Sequence, residues 1–118
     1  MDTASVVASL GALAQESRLA IFRLLVTAGP TGLSVGEIGA DLKVAPATLS
    51  FHLKELANAG LVASRQEGRF IFYSARFDRM NELLEYLTSN CCSREACCGP
   101  SGCAPRKAAN RRSVRNSR

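Results

Sequence analysis

The chain lacks the sequence features on which most enzyme active sites are built. It has no C-x-x-C pair, no glycine-rich phosphate loop and a single histidine, His52, with no nucleophile-base pairing around it. Redox dithiols, nucleotide-binding folds and nucleophilic catalysis need those elements. Its 118 residues suffice for one domain with a modest core and leave none for a second domain. We therefore expect a protein that is not an enzyme.

Long apolar runs and a targeting segment are also missing. No run approaches the ~18 apolar residues that a membrane span requires. The N-terminal sequence MDTASVVASL has neither the basic start nor the long apolar core of a signal peptide. These absences predict a cytoplasmic protein with no membrane partner.

The stretch PATLSFHLKELANAGLV, residues 46 to 62, has the pattern of a short amphipathic helix. Leu49, Leu53 and Leu56 fall at i, i+4 and i+7, on one apolar stripe of a 3.6-residue period. The initial proline suits a first helical turn, and Gly60 stands where a helix ends in the left-handed conformation. The pattern predicts a sharply bounded helix with one buried face.

A second short helix is predicted directly upstream, over SVGEIGADL from Ser34 to Leu42. Ser34 suits the N-cap position, and Glu37 follows three residues later, as in a capping box. Lys43-Val44-Ala45 join the two helices. Two short helices with so short a connection predict a helix-turn-helix.

A β-hairpin is predicted directly downstream. Its strands, Leu61 to Ser64 and Arg69 to Ser74, are rich in β-branched and aromatic residues and flank a turn at residues 65–68, RQEG. Helix, turn, helix and hairpin in this order predict a mainly α fold with a small β-hairpin, the winged helix-turn-helix.

Within residues 44–75, VAPATLSFHLKELANAGLVASRQEGRFIFYSA, eight positions form one motif: Ser50, His52, Leu53, Leu56, Ala59, Gly60, Leu61 and Val62. The motif resembles the S-x-H-L-x-x-L-x-x-A-G-L-V signature of ArsR/SmtB-type metal-responsive repressors. The resemblance covers roughly residues 5 to 90. It implies a homodimeric winged helix-turn-helix protein that binds operator DNA and is regulated by an inducer.

The DNA surface is predicted at the second helix of the motif. When such a helix enters the major groove, its N-terminal residues reach base edges, and the candidates here are Ala47, Thr48, Ser50, Phe51 and His52. Lys54 in this helix and Arg69 at the wing tip are expected to meet the backbone or the minor groove. Two alternatives remain open: Ser50 bonds the preceding helical turn, and His52 is a core or solvated histidine.

Apolar stripes mark the first and the last predicted helix. The first lies within residues 5–15 and the last within residues 76–90, and their stripes comprise Val6, Val7, Leu10 and Leu13, and Phe77, Met80, Leu83, Leu84 and Leu87. Such stripes either cover the chain's own core or form a dimer surface. The resemblance implies homodimers built from these helices, so we expect a homodimer. A dimer presents two reading helices one DNA turn, ~34 Å, apart, which predicts an inverted-repeat operator.

Charge is unevenly distributed along the chain. Residues 104–118 hold six of the 15 basic residues and no acid, so the rest of the chain has a net charge of −1. Residues 43–76 nevertheless carry five basic residues against Glu55 and Glu67. This local surplus supports DNA binding, whereas the overall charge of +5 reflects the tail. We expect the tail to be disordered because it has too few apolar groups to offset the loss of chain entropy.

All five cysteines lie in residues 91–103, which predicts an inducer-binding segment between a domain at 1–90 and the tail at 104–118. Adjacent cysteines are poor chelators of tetrahedral zinc. Soft thiolates select soft ions, and trivalent arsenic or antimony binds three sulfurs in a pyramid. Cys91 and Cys92 with one later sulfur meet that need, and this reasoning leaves the third ligand open.

The sequence Asn90-Cys91-Cys92 followed by a later cysteine resembles arsenic-responsive family members with a C-terminal site. By that resemblance the ligands are Cys91, Cys92 and Cys98, with Cys97 as the alternative third ligand. The inducer is then As(III) or Sb(III), as arsenite, antimonite or an organoarsenical, and no permanent cofactor is expected. Alternatives are a thiol-redox-responsive repressor and one that responds to another soft metal, cadmium or zinc.

Overall fold

The computed structural model describes residues 1–94, which fall into two compact units. The first unit is Met1–Tyr86, and the second begins at Leu87. The predicted segment boundaries at residues 90 and 103 stay predictions. Cys97, Cys98, Cys103 and the basic tail lie outside the described residues.

Five helices and three strands follow one another along the described chain. In order they are α1 (Thr3–Leu13), α2 (Glu16–Ala28), β1 (Leu33–Ser34), α3 (Val35–Leu42), α4 (Pro46–Asn58), β2 (Val62–Glu67), β3 (Phe70–Ala75) and α5 (Phe77–Thr88). The mainly α fold with a small β-hairpin is therefore confirmed. No helix in this part of the chain is long and apolar enough to cross a bilayer.

The core is built around α2. Ile21 and Leu25 are fully buried and Phe22 nearly so. They pack in one cluster with residues from α3, α4 and the sheet: Ile38, Leu49, Leu53, Leu56, Leu61, Val62 and Ala75. Because α4 contributes three leucines to this cluster, its opposite face must point outward.

The helix-turn-helix has the local geometry that its sequence predicts. Ser34 Oγ accepts from the Glu37 N–H at 3.2 Å, and Glu37 Oε1 accepts from the Ser34 N–H at 2.8 Å. This reciprocal capping box satisfies two N–H groups that the helix itself cannot pair. Lys43, with φ 56°, ends α3 in the left-handed region, and Gly60, with φ 80°, does so after α4. Both helices are thus bounded by their own end residues.

The sheet differs from the prediction in its turn and in its strand number. The turn is Gly68–Arg69, shorter than the predicted turn at residues 65–68, and Glu67 pairs with Phe70 across it. Gly68 has φ 63° and Arg69 a negative φ, the pattern of a type II′ hairpin turn. The exposed ribbon tolerates polar residues up to that turn, so β2 continues past Ser64. The short β1 pairs with β3, giving the antiparallel order β1-β3-β2.

The terminal helices bury less of their apolar stripes than a simple core-covering role would require. In α1, Val6 is buried, whereas Val7 is 62% and Leu10 41% exposed. In α5, Leu83 is buried and Leu84 is 52% exposed. The hydroxyls of Thr3 and Tyr86 lie 2.8 Å apart, so the start of α1 lies beside α5. Exposed apolar side chains therefore lie on α1 and on the part of α5 that belongs to the first unit.

Candidate nucleic-acid interface

Helix α4 has one buried face and one exposed face. The buried face consists of Leu49, His52, Leu53 and Leu56. The exposed face consists of Ala47, Thr48, Ser50, Phe51 and Lys54. Phe51 is 55% exposed, although phenyl rings are normally buried. Five of the seven predicted DNA-contacting residues thus share one solvent-facing surface.

His52 lies on the other face of α4. Its side chain is 7% exposed, and Nδ1 is buried with no hydrogen-bond partner among residues 1–94. Position 52 falls at i+3 from Leu49 and i−4 from Leu56, on the apolar stripe, so helical periodicity directs it to the core. The expected base contact by His52 therefore conflicts with its burial, and the alternative of a core histidine fits. The remaining DNA contacts stay predictions.

The tip of the wing carries Arg69, which makes no salt bridge within residues 1–94. Arg69 occupies the second position of the hairpin turn and is exposed. Arg65, by contrast, is held in place: its Nε donates to Glu67 at 2.6 Å, its Nη1 donates to the Thr31 carbonyl at 2.8 Å, and its guanidinium lies 4.9 Å from the Phe72 ring centroid. Arg65 is therefore committed to the wing's own structure.

The other basic residues near α4 also differ in whether they are paired with an acidic side chain. Arg76 Nη2 donates to Asp78 at 2.9 Å, and this hydrogen bond lowers the pKa of the Asp78 carboxyl. Lys43, Lys54 and Arg69 make no salt bridge within residues 1–94. Of the five basic residues in this region, these three therefore carry charges that no acidic side chain within residues 1–94 pairs with.

A cleft of about 320 Å³ separates the wing from the helix-turn-helix. It is lined by the start of α3, by α4 and by the wing: Ser34, Val35, Gly36, Ser50, Leu53, Arg69, Phe70, Ile71 and Tyr73. Phe70 is 63% and Ile71 45% exposed. These two residues could not be selected from the sequence, because the strand pattern alone does not show that the hairpin projects from the core.

The second compact unit contains two of the predicted metal ligands. Cys91 Sγ and Cys92 Sγ lie 3.5 Å apart. The Cys91 N–H donates to the Thr88 carbonyl at 3.0 Å, and Asn90 and Cys92 both have φ 59°, in the left-handed region. No group of three metal-binding side chains occurs within residues 1–94, and the predicted third ligand lies outside them.

Comparison with known proteins assigns the family. Residues 13–65 match the family model of a helix-turn-helix domain. The uncharacterized HTH-type transcriptional regulator YceK of Bacillus subtilis is 42% identical over 73 residues, which are 62% of this chain and 72% of YceK. The ArsR-like transcriptional regulator of Rhodococcus sp. RHA1 superposes with a TM-score of 0.63 at 30% identity, over 71% of this chain and 76% of that one. The chain belongs to the ArsR/SmtB-type winged helix-turn-helix regulators.

Other relatives of this ArsR/SmtB-type regulator differ in their named roles. The transcriptional activator HlyU of Vibrio cholerae is 35% identical over 73% of this chain and 77% of HlyU. The cadmium resistance regulatory protein CadC homolog of Staphylococcus aureus is 32% identical over 72% of this chain and 66% of that protein. The winged helix-turn-helix domain of Mb0332 from Mycobacterium bovis, described as homodimeric, superposes with a TM-score of 0.59 at 28% identity, over 73% of this chain and 80% of that one. Membership therefore establishes a DNA-binding transcriptional regulator and leaves its inducer open.

Proposed function

We propose that this regulator is a homodimeric repressor that leaves its operator when trivalent arsenic binds Cys91, Cys92 and one later cysteine. The observation that carries the inducer assignment is the 3.5 Å separation of the Cys91 and Cys92 sulfurs. The DNA half of the proposal rests on family membership and on the exposed face of α4.

In the proposed complex, the exposed face of α4 enters the major groove and the wing follows the adjacent backbone. Thr48 and Ser50 supply hydroxyl donors, and Lys54 and Arg69 supply positive charge that makes no salt bridge within residues 1–94. Hydroxyls and cations are the groups that contact phosphates and sugars and so fix the register of a reading helix. A dimer with two such helices would read an inverted repeat.

The dimer is proposed to form through α1 and α5. Val7 and Leu10 remain 62% and 41% exposed in the single chain, and Leu84 on α5 is 52% exposed. Burial of such side chains in a two-fold interface removes apolar surface from water on both copies at once. The homodimeric description of the Mb0332 domain supports the same assembly here.

Arg69→Ala is expected to weaken DNA binding to every sequence and to reduce its salt dependence. Each lost phosphate contact lowers the slope of log K against log salt by ~0.9, so the two copies in a dimer lower it by about 2. The measurement is fluorescence anisotropy of a labelled duplex at several salt concentrations. Arg23→Ala, which removes an exposed arginine from α2, is the matched control and should leave the slope unchanged. Equal slopes for the two variants would refute the wing contact.

The geometry of the sulfur pair fits a soft ion shared by both thiolates. Metal–sulfur bonds of about 2.3 Å that meet at about 100° hold two sulfurs about 3.5 Å apart. The two thiols occupy that separation already, so an ion would need little backbone rearrangement to bridge them. A third sulfur completes the pyramid that trivalent arsenic prefers, and Cys98 or Cys97 is proposed to supply it.

Release from DNA requires that the arsenic-bound state fit the operator less well. A ligand shifts a protein only by its differential affinity for two states, and the usual coupling of ~1–3 kcal/mol corresponds to a roughly 5- to 150-fold change in affinity. The cysteines follow α5 directly in the chain, so the proposed coupling acts through the helix that also forms the dimer.

The test is an anisotropy titration of the reduced full-length protein on its own upstream intergenic DNA. Micromolar arsenite should weaken wild-type binding by roughly 5- to 150-fold and leave Cys92→Ser bound. Ser93→Ala, an exposed neighbour without a thiol, is the control and should respond like wild type. A wild type that binds DNA but ignores arsenite would refute the inducer assignment, and one that binds no specific DNA would refute the repressor.

The third ligand reports on the class of inducer. A monosubstituted organoarsenical has only two open positions, so phenylarsine oxide should release a variant that lacks the third cysteine while arsenite should not. Cys97→Ser and Cys98→Ser, titrated with both compounds, identify which of the two residues is the ligand.

Cadmium is a second candidate inducer. The CadC homolog is named for cadmium resistance, and thiolates bind cadmium as a soft ion. Release by cadmium chloride with no response to arsenite would favour this alternative. Release by peroxide in the absence of any metal would instead favour a thiol-redox response.

A further inference from the structure

The N-terminal half of α4 lacks the side chains that usually identify purines. Residues 46–53, PATLSFHL, contain no arginine, lysine, asparagine or glutamine. Arginine and lysine read guanine by bidentate hydrogen bonds, and asparagine and glutamine read adenine in the same way. His52 has the one polar ring in this stretch, and its side chain is buried. The first two turns of α4 must therefore distinguish bases by hydroxyl and apolar groups.

Phe51 dominates the apolar part of that face. It is 55% exposed, and Ala47 precedes it by four residues, so the two side chains are neighbours on the same side of the helix. The first acidic residue of α4 is Glu55, which lies C-terminal to both. A methyl group and a phenyl ring thus form an apolar patch at the end of the helix that reaches base edges.

The major groove contains one apolar group that differs among the base pairs, the C5-methyl of thymine. The phenyl ring is half exposed, and so hydrated, in the free protein. Its contact with the methyl group would remove apolar surface of both groups from water, which is favourable. We propose that Phe51 is a specificity-determining residue that contacts a thymine methyl at the same position in each half-site. This inference rests on the proposed DNA-binding function and names the base that one residue reads.

The test replaces thymidine by deoxyuridine, which removes only the major-groove methyl. A duplex is first selected from a random library by the full-length protein, and deoxyuridine is then placed at one thymidine position of each half-site at a time. Loss of one buried methyl should weaken wild-type binding about fourfold per half-site, at one position in each. Phe51→Ala should bind the thymidine duplex correspondingly less well and show no further loss with deoxyuridine.

Two variants serve as controls. Phe70→Ala removes the exposed aromatic ring of the wing and should keep the sensitivity to deoxyuridine. Phe51→Leu keeps an apolar side chain and should retain part of it. If circular dichroism shows that Phe51→Ala does not fold, Phe51→Leu replaces it as the test variant.

The outcomes separate this inference from the function on which it rests. Wild-type binding that is unaffected by deoxyuridine at every position would overturn the thymine contact and leave the repressor intact. The same would follow from equal sensitivity of wild type and Phe51→Ala. Failure to select any duplex would overturn both the repressor and the thymine contact.

Discussion

Gly32→Ala is expected to lower the free energy of unfolding by roughly 3–5 kcal/mol, the largest loss expected from an alanine at any glycine within residues 1–94. Gly32 has φ +74°, a conformation that costs a side-chain-bearing residue about 1–3 kcal/mol. A Cβ at this position would also collide with the carbonyl oxygen of Tyr73 and lie 2.8 Å from its carbon. These are backbone atoms of β3, so relief of the collision would separate β1 from the sheet.

Substitutions at two other glycines separate the cost of a side chain at positive φ from the cost of the collision with β3. Gly68 has φ +63° with nothing within 4 Å of an added Cβ, so Gly68→Ala should lose only the conformational cost of about 1–3 kcal/mol. Gly36 lies in α3 with nothing within 4 Å, and Gly36→Ala should gain about 0.5–1 kcal/mol. Urea unfolding followed by circular dichroism measures all three. A Gly32→Ala variant as stable as Gly68→Ala would contradict this prediction, because it would show that β1 and β3 move apart at little cost in free energy.

Val7→Glu is expected to convert the proposed dimer into monomers and to weaken binding to the proposed operator on the order of a hundredfold or more. Val7 is 62% exposed on α1, so glutamate there costs the isolated chain little, and it is a good helix former. In a two-fold interface the change occurs twice and buries two unpaired carboxylates, each with a penalty of several kcal/mol. A monomer then holds one half-site in place of two.

Analytical ultracentrifugation measures the oligomeric state, and anisotropy on the selected duplex measures the binding. Ala40→Glu adds the same charge at an exposed position of α3 and should leave the protein dimeric. A Val7→Glu variant that remains dimeric and unfolds like wild type would place the interface elsewhere on the surface.

Features that depend on a few neighbouring residues could be predicted from the sequence. The Ser34–Glu37 capping box and the left-handed Gly60 are both present as predicted. The buried leucines of α4 also follow from a local period, and the same period places His52 on the core side. The motif match favoured a DNA contact for this histidine, whereas its position on the stripe gave the better physical guide.

Features that depend on distant residues could not be read in the same way. β1 has two residues, too few for a strand pattern, and exists because β3 offers it a free edge. Arg79 is a charged residue of α5, yet its Nε is buried and its guanidinium lies against Gly60, where a Cβ would be 3.1 Å from Nη2. The exposure of Phe70 and Ile71 likewise follows from how far the hairpin extends beyond the core. Each of these facts is set by tertiary packing.

Within residues 1–94, strand pairing joins the outer part of the wing to the rest of the protein only at its base. Toward the turn every β2 residue after Val62 is exposed, and β1 pairs with β3 no further out than Phe72. The amide hydrogens beyond that point are protected from exchange only by the two-stranded ladder, so local opening there leaves the core intact. In the proposed complex the tip could therefore adjust to the width of a groove while α4 stays fixed, which would separate adaptation to DNA shape from the reading of bases.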